Sequence, residues 1–122
     1  MISHVSFASL NVTDLDRAKA FWSEIVGFEE TVDMEAIPGM RWVMLRPGQA
    51  ETQLHLWKVD EVPQTGMPAL PFVDPDVEAT VEALRGKGVE IVQEPGPAEW
   101  DASTIRAIFR DSEGNQILLA SR

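Results

Sequence analysis

The chain has 122 residues, 44% of them hydrophobic and 25% charged, which suits one globular domain with a buried core. A formal net charge of −10 opposes binding to nucleic acid or anionic membrane, and no apolar run approaches the length of a membrane span. Cysteine is absent, so disulfides, thiolate ligands and a cysteine nucleophile are excluded; with no signal-peptide pattern at Met1 to Val5, the cytoplasm is the expected location.

His4 to Val12 alternate as a strand, with Phe7, Ser9 and Asn11 on one face and Ala8, Leu10 and Val12 on the other. Thr13 and Asp14 are N-cap candidates for a helix whose apolar stripe is Leu15, Ala18, Trp22 and Ile25 and whose stop is Gly27. A strand is predicted from Phe28 to Val32, a loop from Met34 to Met40 around Pro38-Gly39, and a strand from Arg41 to Arg46. After the Pro47-Gly48 turn comes a strand from Thr52 to Lys58, then a polar connector over about 58–68 broken by Pro63, Gly66 and Pro68. The second half repeats the order. It has a short strand from Ala69 to Val73, a helix opened by Asp74-Pro75-Asp76 with Val77, Val81 and Leu84 buried, and glycine stops at Gly86 and Gly88. Val89 to Gln93 is predicted as a strand and Glu94 to Ser103 as a loop containing Pro95, Gly96 and Pro97. Strands from Thr104 to Arg110 and Asn115 to Ala120 flank the turn Asp111 to Gly114.

The halves also match by residue. Val12, Ala18, Gly27 and Glu29 recur 61 positions later as Val73, Ala79, Gly88 and Glu90, and Arg46 recurs 64 later as Arg110. Such a period means one supersecondary unit used twice. The expected fold is α+β: two βαβββ modules, about 1–60 and 68–122, related by a pseudo-two-fold axis and forming an open curved mixed sheet around a cleft. The cleft is the default ligand site.

Val12-Thr13-Asp14-Leu15-Asp16-Arg17-Ala18-Lys19-Ala20-Phe21-Trp22, then Val26-Gly27-Phe28, and in the second copy Phe109-Arg110-Asp111-Ser112-Glu113-Gly114-Asn115-Gln116-Ile117, resemble the vicinal oxygen chelate superfamily of glyoxalases, extradiol dioxygenases and bleomycin-resistance proteins. The resemblance implies four cleft positions that hold a divalent metal in the family's enzymes. Here they carry Phe7, Pro68, His55 and Leu118. One imidazole is too few donors for such an ion, so no metal and no other cofactor is expected. The fold hosts many activities, so function must come from the site.

His55 shares a strand face with Gln53 and Trp57, opposite Leu54 and Leu56, and is expected to face the cleft. It is a ligand hydrogen-bonding group or, in an enzyme, a general base; equally, it is a sheet histidine bonded to a neighbour. Trp42, Trp57 and the loop residue Trp100 are candidate stacking surfaces, and Phe7, Ser9 and Asn11 candidate lining residues. Arg41 and Arg106 are read first as salt-bridge partners and second as anchors for an anionic group. The expected function is metal-free binding of a planar or cationic drug-like molecule, as in bleomycin-resistance proteins. The alternative is a lyase, isomerase or dioxygenase-type enzyme acting through His55 or a metal site placed elsewhere. A homodimer is expected.

Overall fold

The computed structural model describes residues 1–122. In chain order the elements are β1 (Phe7–Val12), α1 (Leu15–Ala20) continued by a π-helical turn (Phe21–Ile25), β2 (Glu29–Ile37), β3 (Met40–Arg46), β4 (Gln53–Lys58), β5 (Leu70–Val73), α2 (Val77–Gly86), β6 (Ile91–Ala98), β7 (Asp101–Arg110) and β8 (Gln116–Ala120). Contacts divide the chain into two units, Met1–Val62 and Pro63–Arg122, each a βαβββ module with one four-stranded sheet. The first sheet has the order β1-β4-β3-β2 and the second β5-β8-β7-β6. In each, the outer pair β1–β4 or β5–β8 is parallel and the remaining pairs are antiparallel.

In the first unit, Leu10, Val12, Val43, Leu45, Leu54 and Leu56 form the sheet face beneath the helix, and Leu15, Ala18, Phe21 and Trp22 close over it. Asp14 caps α1 by accepting the Arg17 backbone N–H. Farther along, Val26 N–H bonds to Phe21 O, five residues back, and Phe28 N–H bonds to Trp22 O across Gly27, whose φ is +94°. In the second unit, Val77, Val81 and Leu84 of α2 pack on the side of Ala107 and Phe109, with Ile117 and Leu119 buried in register beside them. Asp76 is the cap, accepting from Ala79 N–H, and Gly88 at φ +83° closes a Schellman motif with Val89 N–H on Leu84 O.

These caps explain the π turn. From Asp14 to Gly27 the chain advances 13 residues, and from Asp76 to Gly88 it advances 12. The first helix therefore holds one extra residue between equivalent ends, and the wider turn absorbs it. The caps also correct an expectation. Pro75 lies just before the cap Asp76, and the N-caps are 62 apart. The sheet registers agree: Phe7 is opposite Gln53, while Ala69 N–H bonds to Gln116 O at the matching place. The second-copy equivalent of Phe7 is thus Ala69, not Pro68.

Two predicted loops are strand. β2 runs to Ile37, leaving only Pro38-Gly39 as the turn into β3; Pro fixes its own φ and Gly39 takes φ +82°. β6 runs through Pro95, Gly96 and Pro97 to Ala98, with register shifts on the way. It is an edge strand, where a missing N–H faces no partner, so its prolines are tolerated. No helix is long and apolar enough to cross a membrane.

The Asp111 to Gly114 turn is held from within. Buried Asp111 accepts from the backbone N–H of Glu113 (2.9 Å) and Asn115 (2.8 Å) and from Asn115 Nδ2 (3.0 Å). Burial raises its carboxyl pKa, and these donors oppose the rise.

Candidate functional site

Strand alternation and register fix the side of the first sheet that the helix leaves uncovered. Extending the strand pairings gives three rows across it: Phe7, Gln53, Arg46 and Glu29; Ser9, His55, Met44 and Val32; Asn11, Trp57, Trp42 and Met34. Six of the seven residues singled out from the sequence, Phe7, Ser9, Asn11, Trp42, His55 and Trp57, share this face. The seventh, Trp100, does not: it sits with Glu99 in the two-residue turn between β6 and β7 of the other unit and is exposed. The sequence predicts a long loop around it; the extension of β6 and β7 removes that loop.

His55 stands at the centre of the face but is only 2% exposed. Aromatic rings account for this. Phe7 and Trp42 come from the outer rows on either side and meet edge to face, with ring centroids 5.7 Å apart. Trp42 stacks on the imidazole at 4.0 Å and 27°, Phe7 lies 5.2 Å from it, and Trp57 is 5.7 Å away on the same strand. Trp57 and Phe7 are themselves open to solvent. The rings thus form an accessible apolar surface with an imidazole beneath it.

The imidazole has one fixed partner. Ser9 Oγ, directly across the parallel register, lies 2.8 Å from Nδ1. If the hydroxyl donates, Nε2 carries the ring proton; if the ring donates, Nε2 is a bare acceptor. In both cases Nε2 is buried and has no hydrogen-bond partner. Desolvation lowers the His55 pKa, so the ring is neutral at neutral pH.

Arg46, in the same face's first row, is marked in the sequence only as the repeat partner of Arg110 and not as a site residue. Its Nε is also buried without a partner, and its Nη2 lies 3.6 Å from Glu29. The signal was there, since Arg46 is in phase with Trp42 along β3. Arg41 is out of phase and lies on the helix side. There it bonds Asp33 (2.8 Å) and Asp16 (2.7 Å), and Lys19 adds a 2.7 Å contact to Asp33. Arg41 and Lys19 hold the Asp33 carboxyl far below the usual carboxylate range. Arg106 pairs with Glu99 at 2.9 Å. Both arginines are salt-bridged, as the simpler reading expected.

The second sheet answers the same rows differently. Leu118 stands where His55 does, Ile108 where Met44 does, and Arg106 where Trp42 does. The residues present do not fit a divalent metal. His55 is flanked by Phe7, Ser9, Trp42 and Met44, and nowhere do three or more His, Cys, Asp or Glu side chains gather suitably.

A family model described as the Glyoxalase/Bleomycin resistance protein/Dioxygenase superfamily matches residues 1–119. An uncharacterized Bacillus subtilis protein, YetH, is 31% identical over 121 residues, covering 98% of each chain. A lactoylglutathione lyase of Haemophilus influenzae is 27% identical over 115 residues, 88% of this chain and 84% of that one. Among solved structures, TnmS3, an antibiotic-binding protein from Streptomyces sp. CB03234, superposes with a TM-score of 0.82 at 34% identity, covering 97% of this chain and 94% of that one.

Proposed function

Because the chain belongs to the glyoxalase/bleomycin resistance protein/dioxygenase superfamily, we propose that it binds a small planar aromatic molecule, without a metal, on the Phe7–Trp42–Trp57 face of the first sheet, and so sequesters a drug-like compound. The observation that carries this is His55 Nε2, a buried nitrogen with no partner under a roof of stacked rings. An unsatisfied buried polar group costs about 1–3 kcal/mol. A face built for packing alone would use an aliphatic side chain, as the second sheet does with Leu118. The cost is recovered when a ligand slides among the rings and meets Nε2. The antibiotic-binding description of TnmS3 supports the same reading. The charge of −10 favours a ligand with a cationic part at long range.

Tryptophan fluorescence with proflavine as the planar probe tests it. Saturable quenching is expected, and His55→Leu weakens it by about 2- to 10-fold, one hydrogen bond's worth, while leaving the melting temperature equal or higher. Absence of saturable quenching by any planar aromatic, or a His55→Leu variant that melts earlier and binds unchanged, sinks the proposal.

The neutral imidazole bonded to Ser9 also favours a second reading, an enzyme in which His55 is a general base. In that case His55→Leu lowers turnover by about 10²–10⁴-fold. The proposal extends to a homodimer, supported by Met34 and Ile37, which stand exposed on edge strand β2. Light scattering at micromolar concentration should give twice the chain mass; the mass of one chain rejects it.

A further inference from the structure

Two arginines at equivalent places on the two sheets are treated differently. Arg110 ends β7 as Arg46 ends β3, and each faces a glutamate, Glu90 or Glu29, across the neighbouring strand. Arg110 is satisfied: its Nε donates to Glu90 at 2.9 Å and its Nη1 to Gly114 O at 3.1 Å. Arg46 has only the looser 3.6 Å approach to Glu29, and its Nε is buried with no acceptor. The same residue pair on the same scaffold can therefore close fully, and at Arg46 it does not.

We propose that Arg46 is a second anchor in the ligand site, taking an acceptor group, a carboxylate or phenolate, on one edge of the planar ligand. This rests on the binding reading above and adds the ligand's polarity and orientation. Arg46 and His55 are diagonal neighbours on adjacent strands of one face, a separation of about 7–8 Å, somewhat less between Cβ atoms. A fused aromatic molecule spans that distance. Its rings lie on Trp42 and Phe7 while its acceptor edge meets the guanidinium. A guanidinium offers two parallel N–H donors to a carboxylate, and the buried Nε is one of that pair. The acidic field acts over the Debye length and is screened by salt, whereas the Arg46 contact is short and persists.

The test uses 2-naphthoate and its neutral analogue 2-(hydroxymethyl)naphthalene, with tryptophan quenching read at 0.15 M salt. The wild-type protein binds the carboxylate about tenfold more tightly than the alcohol. Arg46→Met brings the two within about twofold by weakening the carboxylate alone, and Arg46→Gln does the same should the methionine variant not fold. Arg110→Met leaves the preference in place. Equal binding of both probes by the wild type, or a preference that survives at Arg46→Met and Arg46→Gln, overturns the anchor while leaving the aromatic site standing. Failure of both probes and of proflavine to quench overturns the binding reading and the anchor together; quenching by proflavine alone overturns the anchor.

Discussion

Trp42→Ala is expected to weaken binding of a planar aromatic ligand by roughly ten- to a hundredfold, the range for losing one aromatic stacking platform. Trp42 is the ring in closest contact with His55, so its removal also opens the imidazole to water. That second effect has a pH signature. In the wild type, burial holds the His55 pKa below its unfolded value. As pH falls through the ordinary histidine range near 6.5, the unfolded chain takes up a proton that the folded chain refuses. The stabilising preference for neutral His55 is full above that range and is lost progressively down to the lowered folded pKa. With alanine at position 42 the folded pKa returns toward the ordinary value, and this part of the acid sensitivity shrinks. Urea titrations of both proteins between neutral pH and pH 5 measure the difference directly. Parallel stability curves for the two proteins, with unchanged affinity, would remove Trp42 from the site.

The largest loss of stability is expected from Trp22→Ala. Trp22 is fully buried in the π turn, packed against Phe21 at 5.4 Å and Phe28 at 5.3 Å. Removing a buried indole costs about 3–5 kcal/mol, against a typical total of about 5–15 kcal/mol. Denaturant unfolding should show the midpoint collapse with little change in slope. A loss below about 1 kcal/mol would mean that the helix end repacks around the gap.

The fold was legible because its signals are local and periodic. Asp14, Gly27, Gly88 and the Val77–Val81–Leu84 stripe mark helix ends and faces by their spacing alone, and the repeat fixes the order of the rest. Strand ends were harder. Pro95 and Pro97 read as loop because proline breaks a central strand, but only the sheet order shows β6 to be an edge. At the candidate site, alternation placed Phe7, Ser9, Asn11, His55 and Trp57 on shared faces. What it could not give was the cross-strand register. Without that, Trp42 is one aromatic among several, Arg46 is marked only by its phase with Trp42, and the Ser9–His55 bond has no basis. Nor does a sequence pattern report that a nitrogen is buried and unmatched, since that depends on where every neighbour's donor has gone.

The wider turn at Phe21–Ile25 has a consequence for how this chain tolerates change in length. Adding a residue within a strand would turn every later side chain of that strand to the other face, sending His55 toward the helix and Leu54 or Leu56 outward. In the helix the surplus residue is taken up as slack before Gly27, and β2 still begins in step with β3. The helix thus acts as a buffer upstream of the register-sensitive part. Drift in its length need not disturb the alignment of rings, imidazole and guanidinium on the sheet, which leaves that alignment free to be tuned one side chain at a time.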